Sequence, residues 1–306
     1  MRKVFHFINH NFLLCFGMLM LVLLLSFTFL GQYAPFINQG VEEIPFKMTD
    51  GKISVPPYEP SSEHLLGTDR EGRDLLSLLA MGAKETLLII VTITILRYLL
   101  AIPLAYLAHK NVFGANPLLK VLNGFFSYVP TIVMVILLAM LPPLLLTESR
   151  PYYLIVIIAA MEVGRAAETI KQELDECTRK EYILSGIAVG AGPVRLLKSY
   201  YLPFLYGKLL VSIISDLGKV MFLLGQLGFI GIFISQDIIQ VEIGMFEIRN
   251  ESISWPMLLM EATSDIRGPI WIPFWSAFAM TFTIFTFNIL AQGIQNLEKK
   301  KASYLV

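Results

Sequence analysis

Only two cysteines occur in the 306 residues, Cys15 inside an apolar run and Cys177 in a charged segment far from it, so a structural disulfide is not expected. The four histidines show no metal-ligand spacing. The Gly-Lys pairs at Gly51, Gly207 and Gly218 are followed by Ile53, Leu209 and Val220, so none completes a G-x-x-x-x-G-K-[ST] phosphate loop. No metal site, no catalytic residue and no cofactor is therefore expected on this chain, and any ATP it depends on would be bound by another. Charge is scarce as well, at 16% of residues against roughly 25% in a soluble domain. Lys and Arg number 24 and so do Asp and Glu, and this zero balance gives no reason to expect a nucleic-acid partner.

The rest of the chain is apolar: 55% of residues are hydrophobic and the mean hydropathy is +0.65. A helix that crosses a bilayer needs about 20 mostly apolar residues. Six segments qualify, at about 11–30, 84–108, 121–146, 151–167, 207–233 and 270–294. The first has Arg2 and Lys3 before it and Gly31 and Ala34 after it, as a signal peptide would. It exceeds the roughly 7 to 15 apolar residues of a signal core, however, and reads as a span. The expected fold class is an all-α membrane protein with six transmembrane helices.

The basic residues predict the orientation. With the N-terminus inside, fourteen of the 24 Lys and Arg fall on inner segments and eight on outer ones, while Arg97 and Lys219 lie within spans. Both termini are then cytoplasmic. Two outer segments are too long for simple connections. One, about 32–83, contains "VPPYEPSSEH"; the other, about 234–269, sets Asp237, Glu242, Glu247, Glu251, Glu261 and Asp265 against Arg249 and Arg267. Each reads either as a contact surface on the outer side or as a solvated loop.

Two polar stretches interrupt the apolar pattern. In "HLLGTDREGRDLLSLL", Thr68 and Glu71 form a Ser/Thr-x-x-Glu capping box, which predicts a helix starting there and running into the second span. Leu75, Leu76, Leu78 and Leu79 give it an apolar side, and Asp69, Arg70, Arg73 and Asp74 are placed to pair locally. In "KEYILSGIAVGAGPVRLLKSYYLP", a helix of about three turns is expected from Arg179, with Glu181 at its positive end. Ser185, Gly186, Ala188 and Gly190 leave one side nearly bare, which permits close approach of another chain. Gly190 and Gly192 stop this helix, Pro193 opens a second, and Pro203 marks its approximate end. Without a partner the same segment would lie on the inner leaflet.

Charges also fall inside the spans. Asp216 and Lys219 are spaced i, i+3, as are Glu162 and Arg165, so each acid can meet its base, and Arg97 remains to be shared or solvated. An ionised group at the centre of an isolated membrane helix costs about 2.5 to 3.5 kcal/mol, so these five are expected to face a polar interior. They either form a network lining or closing a pathway, or fix helix packing while Arg165 snorkels to the interface.

The run "HLLGTDREGRDLLS" closely resembles the H-x-L-G-T-D-x-x-G-R-D-x-x-S segment of C-type permease subunits in the oligopeptide, dipeptide and nickel family of binding-protein-dependent ABC importers. The match places Gly67, Thr68, Asp69, Gly72, Arg73 and Asp74 in the family's outer motif. "GQLGFIGI", "SWPMLLMEA" and "FNILAQGIQ" are similar to later family segments, so the resemblance runs from His64 onward. It also identifies the inner stretch with the EAA motif, at Glu181, Ser185, Gly186, Gly190, Leu202 and Pro203, with Ser and Gly where the family has two alanines. The resemblance implies a type I importer core of five helices over 84–294, an extra N-terminal helix within 1–31, an extracytoplasmic segment at 32–83, a coupling loop at 168–206 and a cytoplasmic tail at 295–306. It implies as partners a homologous second permease, two ATPase subunits carrying ATP and Mg, an extracytoplasmic solute-binding protein and the lipid of a bacterial cytoplasmic membrane. Peptide is the first expectation for the solute, with nickel or a metallophore as the alternative. A secondary transporter working alone would show internal repeats, and none is evident; a non-transporting sensory subunit derived from a permease is the other rival.

Overall fold

The computed structural model describes residues 11–34, 37, 42–49, 52–145, 147, 149–232, 234, 237–242, 245–249 and 252–303. Arg2, Lys3 and Glu251, used above in the charge argument, lie outside the described residues. Among the described residues, four helices are long and apolar enough to cross a membrane: Phe12–Tyr33, Leu75–His109, Val194–Ile230 and Trp271–Lys300. Their regular cores are α1 (Phe12–Leu30), α2 (Leu75–His109), α10 (Leu202–Ile230) and α12 (Trp271–Ser303).

The third and fourth apolar segments are each interrupted. The third spans the end of α3 (Ala115–Tyr128), then α4 (Thr131–Ala139) and the short α5 (Pro142–Leu145). Pro130 disfavours a helical conformation in the residue before it, and Val129 is extended at φ −109°, ψ 128°. The fourth divides into α6 (Arg150–Met161) and α7 (Val163–Thr178), which meet at Glu162. Hydropathy alone reads through both breaks.

The helices pack around two buried clusters. One is built from Leu75, Ile90, Val135, Ile158, Leu224 and Trp255; the other, toward the opposite end, from Tyr98, Leu119, Ala167, Ile183 and Tyr201. The first and last helices approach at backbone distance. A Cβ at Gly293 would sit 2.6 Å from Leu14 Cα, and one at Gly17 would sit 2.9 Å from Leu290 Cα, so neither position admits a side chain without separating α1 from α12. Small residues that let helix backbones meet are the usual means of association where hydrocarbon tails cancel the hydrophobic drive.

The segments at the end of α2 that carries Leu75 hold two antiparallel hairpins, β1 (Lys47–Thr49) with β2 (Lys52–Ser54), and β3 (Asp237–Glu242) with β4 (Met245–Arg249). Between β4 and α12 the chain folds back into the bundle as a 3-10 turn, Trp255–Leu259, followed by α11 (Ala262–Asp265). Trp255 is only 1% exposed and its indole donates to the carbonyl of Leu79 at 2.8 Å. Its backbone N–H donates to Thr86 Oγ1, and its carbonyl accepts from Ser276 Oγ. A buried indole that satisfies its N–H is a rigid anchor, and here it plugs the space between α2, α10 and α12.

The capping-box expectation at Thr68 is overturned. The helix begins at Leu75, capped by Asp74, whose carboxylate accepts from Ser77 N and Ser77 Oγ. Thr68 is diverted instead: its hydroxyl accepts from Tyr58 N at 2.8 Å, and its backbone bridges to Asp74. The second correction concerns Pro203, which does not end a helix. It lies just after a π turn at Leu197–Tyr201 that joins α9 (Pro193–Leu196) to α10 without a break, so the helical stretch continues past it.

Candidate functional site

The 64–74 motif folds into a compact cap at one end of the bundle. Asp69 accepts from Glu71 N and Arg73 N and pairs with the Arg73 guanidinium at 2.7 Å. A Cβ on Gly72 would overlap the carbonyl of Ile44, and one on Gly67 would press on the Trp271 indole, which donates to Thr68 O at 3.1 Å. His64 Nδ1 meets Asp74 at 3.1 Å while Lys47 lies beside its Nε2. Glu63, on the surface, is held below the ordinary carboxylate range by its hydrogen bond and charge contact with Lys47.

Arg70 departs from the expected local pairing. Its guanidinium crosses to the 234–269 segment, where it binds Asp265 at 2.5 Å, Ser264 at 2.7 Å and Glu261. Arg70 thus ties the 32–83 segment to the 234–269 segment, as the Trp255–Leu79 bond also does, and the sequence clue was the surplus of acids in the second. Asp265 is buried, so Arg70→Gln leaves a buried carboxylate short of its cation. The expected cost is about 2 kcal/mol, read as a lowered unfolding midpoint of the purified protein.

The five charges in the apolar segments form two groups at the middle of the bundle. Asp216, buried, takes Arg97 Nη1 at 3.3 Å on one carboxylate oxygen and Lys219 Nζ at 2.9 Å on the other. Arg97 also donates through Nη2 to the carbonyl of Ile158 at 3.2 Å. Arg97 thus shares the acid that the spacing had assigned to Lys219 alone. Glu162, at the break between α6 and α7, pairs with Arg165 at 2.9 Å and accepts from the Thr131 hydroxyl at the start of α4. That bond ties the break in the third apolar segment to the break in the fourth.

At the opposite end lies a hairpin of α8 (Glu181–Ala188) and α9. Glu181 opens α8, Ser185 Oγ donates back to Tyr182 O at 2.8 Å, and Gly190 turns the chain at φ +81°, a conformation that only glycine adopts without strain. The bare side at Gly186 is covered from within: a Cβ there would lie 2.8 Å from the ring of Tyr200. What the hairpin leaves uncovered is its tip, where Val189 is 87% exposed and Val194 is exposed beside it. Leu202 is exposed at the start of α10, and Pro203 lines a groove of about 760 Å³ together with Tyr200, Gly207, Lys208 and Glu298.

Beneath the hairpin, polar contacts fasten α7 to α2 and α10. His109 meets Asp175 at 2.6 Å, Thr178 lies 3.3 Å from both His109 Nε2 and the Tyr201 hydroxyl, and Lys208 pairs with Glu173 and, at 3.4 Å, Glu176. Burial pushes the Asp175 carboxyl upward, but hydrogen bonds from His109 and Lys171 outweigh it and hold the group below its ordinary value. Glu176 is lowered by the charge of Lys208 beside it. None of these fastening residues was singled out from the sequence, because their partners His109, Tyr201 and Lys208 lie on other elements, far from α7 in the chain, and no local spacing links them to it.

No family model matches the chain. It is 21% identical over 293 residues to the dipeptide transport system permease protein DppC of Bacillus subtilis (strain 168), covering 94% of this chain and 82% of that protein. The oligopeptide transport system permease protein OppC of the same organism is 22% identical over 240 residues, 78% of this chain and 72% of its own length. The nickel transport system permease protein NikC of Escherichia coli (strain K12) is 20% identical over 244 residues, 78% and 79% respectively. This chain is a homologue of those permease subunits. With four long apolar helices besides, the permease homologue is a multi-pass membrane protein. Its outer-motif cap, central charges and glycine-turned hairpin occupy one end, the middle and the other end of a single bundle.

Proposed function

We propose that this chain is the membrane-spanning permease subunit of an ABC importer, moving a peptide delivered by an extracytoplasmic binding protein. Similarity to peptide-system permeases along 94% of the chain carries the reading. In it, the chain crosses a bacterial cytoplasmic membrane six times, the interrupted third and fourth segments each counting as a crossing, with both termini on the cytoplasmic side. The outer-motif cap then faces the binding protein. The 181–203 hairpin is the EAA coupling element, inserted into a groove of an ATPase subunit, while a second permease completes the pathway. ATP and Mg belong to the two ATPase subunits, whose closure moves the hairpin and switches the side to which the pathway opens. Nickel is the second reading, favoured by the similarity to a nickel-system permease.

The experiment is purification of the complex from native membranes, followed by uptake of a labelled dipeptide and of labelled nickel in vesicles. Copurifying ATPase subunits and ATP-dependent peptide uptake support the proposal; a chain that purifies alone, without ATP-dependent uptake, counts against it. The tip gives a sharper check. Val189→Asp is expected to lower ATP-driven uptake more than tenfold by placing a charge in an apolar docking pocket, where a single contact contributes about 2 kcal/mol or more. Folding should be unaffected, because the exposed valine touches little of its own chain. Gly186 would be the wrong choice, since a bulky residue there collides with Tyr200 first.

A further inference from the structure

We propose that the central cleft of this chain binds a carboxylate of the solute; the inference rests on the importer reading above and names the chemical class that the importer selects. The cleft measures about 270 Å³ and is lined by Arg97, Thr131, Glu162, Arg165, Lys219 and Gln226, with Phe222 and Leu223 among its apolar walls. Asp216 is not part of that wall. It stands behind it, holding Arg97 and Lys219. The lining therefore presents three bases and one acid, and even with Asp216 counted the five ionised groups leave one positive charge unbalanced.

An unbalanced charge within apolar helices is costly unless something neutralises it. Arg97 is 2% exposed and its Nε has no hydrogen-bond partner among the described residues. The side chains of Lys219 and Arg165, by contrast, are 66% and 56% exposed, though Lys219 lies far from either end of α10. One monocarboxylate would balance the cluster and accept charge-assisted hydrogen bonds from these cations. The volume is just below the roughly 300 to 1,000 Å³ of pockets that enclose whole ligands, so the cleft takes the end of a solute and leaves the remainder outside. A peptide's C-terminus and a carboxylate chelator around a metal ion both present this group.

The test is uptake by the whole importer in vesicles, comparing Ala-Ala with Ala-Ala amide, and nickel citrate with hydrated nickel. Lys219→Gln is expected to lower the uptake rate of the carboxylate-bearing probe about tenfold relative to the carboxylate-free one, the scale of one lost hydrogen bond to a charged group. Arg165→Gln should shift the same ratio in the same direction. The peptide and nickel arms tell which source of the carboxylate applies. Equal slowing of both probes in a pair, or no change in either, overturns the site while leaving the importer reading intact. Loss of the second permease on copurification of Lys219→Gln also overturns it, by assigning the cation to an acidic residue of that partner. Failure of the wild-type complex to import any of the four probes defeats the importer reading and the site with it.

Discussion

Asp216→Asn should destabilise the purified protein by about 3 kcal/mol or more and abolish transport, because it strips the shared counter-charge from a fully buried arginine. The geometry is specific: one carboxylate oxygen serves Arg97 and the other Lys219, so an amide in its place donates toward cations at one of the two positions. Lys219 can turn toward water through its exposed side chain, but Arg97 has no such route. The cost therefore concentrates on Arg97. Thermal unfolding in detergent measures it, and a companion variant identifies the cause. Arg97→Met combined with Asp216→Asn should regain most of the stability lost in Asp216→Asn alone, since it removes the uncompensated buried charge that makes a half-broken pair costly. Stability in the double variant no better than in the single one would point instead to a packing role for Asp216.

Gly228→Ala is expected to be nearly as damaging, for a steric reason. A methyl there would overlap the carbonyl oxygen of Pro256, and Gly82 bears the same relation to the carbonyl of Ile253, so the re-entrant segment is pinned between α10 and α2 by two glycines. The clash is with backbone on both sides, which leaves no flexible side chain to yield. A loss of about 3 kcal/mol, the upper part of the usual overpacking range, is expected, together with release of the segment from the bundle. Maleimide labelling of Ser254→Cys reads that release, because position 254 is buried in the native fold and should become accessible only when the segment lifts. A labelling rate unchanged by Gly228→Ala would show that the helices, and not the segment, move apart.

The long helices were legible because an apolar run of 20 or more residues has few other uses, and α1, α2, α10 and α12 lie where such runs occur. The interruptions at Pro130 and Glu162 were not, since a run-length criterion weighs composition and ignores where one backbone conformation ends. The capping box at Thr68 misled for a related reason. Capping residues recur within a few positions here, and the choice between Thr68 and Asp74 is made by Tyr58, ten residues upstream, which claims the threonine hydroxyl. The i, i+3 pairing of Asp216 with Lys219 and of Glu162 with Arg165 was readable because it is local. The link from Arg97 to Asp216 and that from Arg70 to Asp265 were not, because their partners lie on distant helices and no spacing rule reaches them.

The unbroken passage from α9 through the π turn into α10 has a mechanical consequence. Val194–Ile230 runs as one 37-residue helical stretch, a rod about 55 Å long that reaches from the hairpin tip past Lys219 to the re-entrant segment. A rod has no slack: a tilt of about 10° about one end sweeps the other through about 10 Å at that length. Whatever pushes on Val194 acts with a long arm on Gly228, and the fulcrum is set by where Lys208 and Asp216 are fastened to their neighbours.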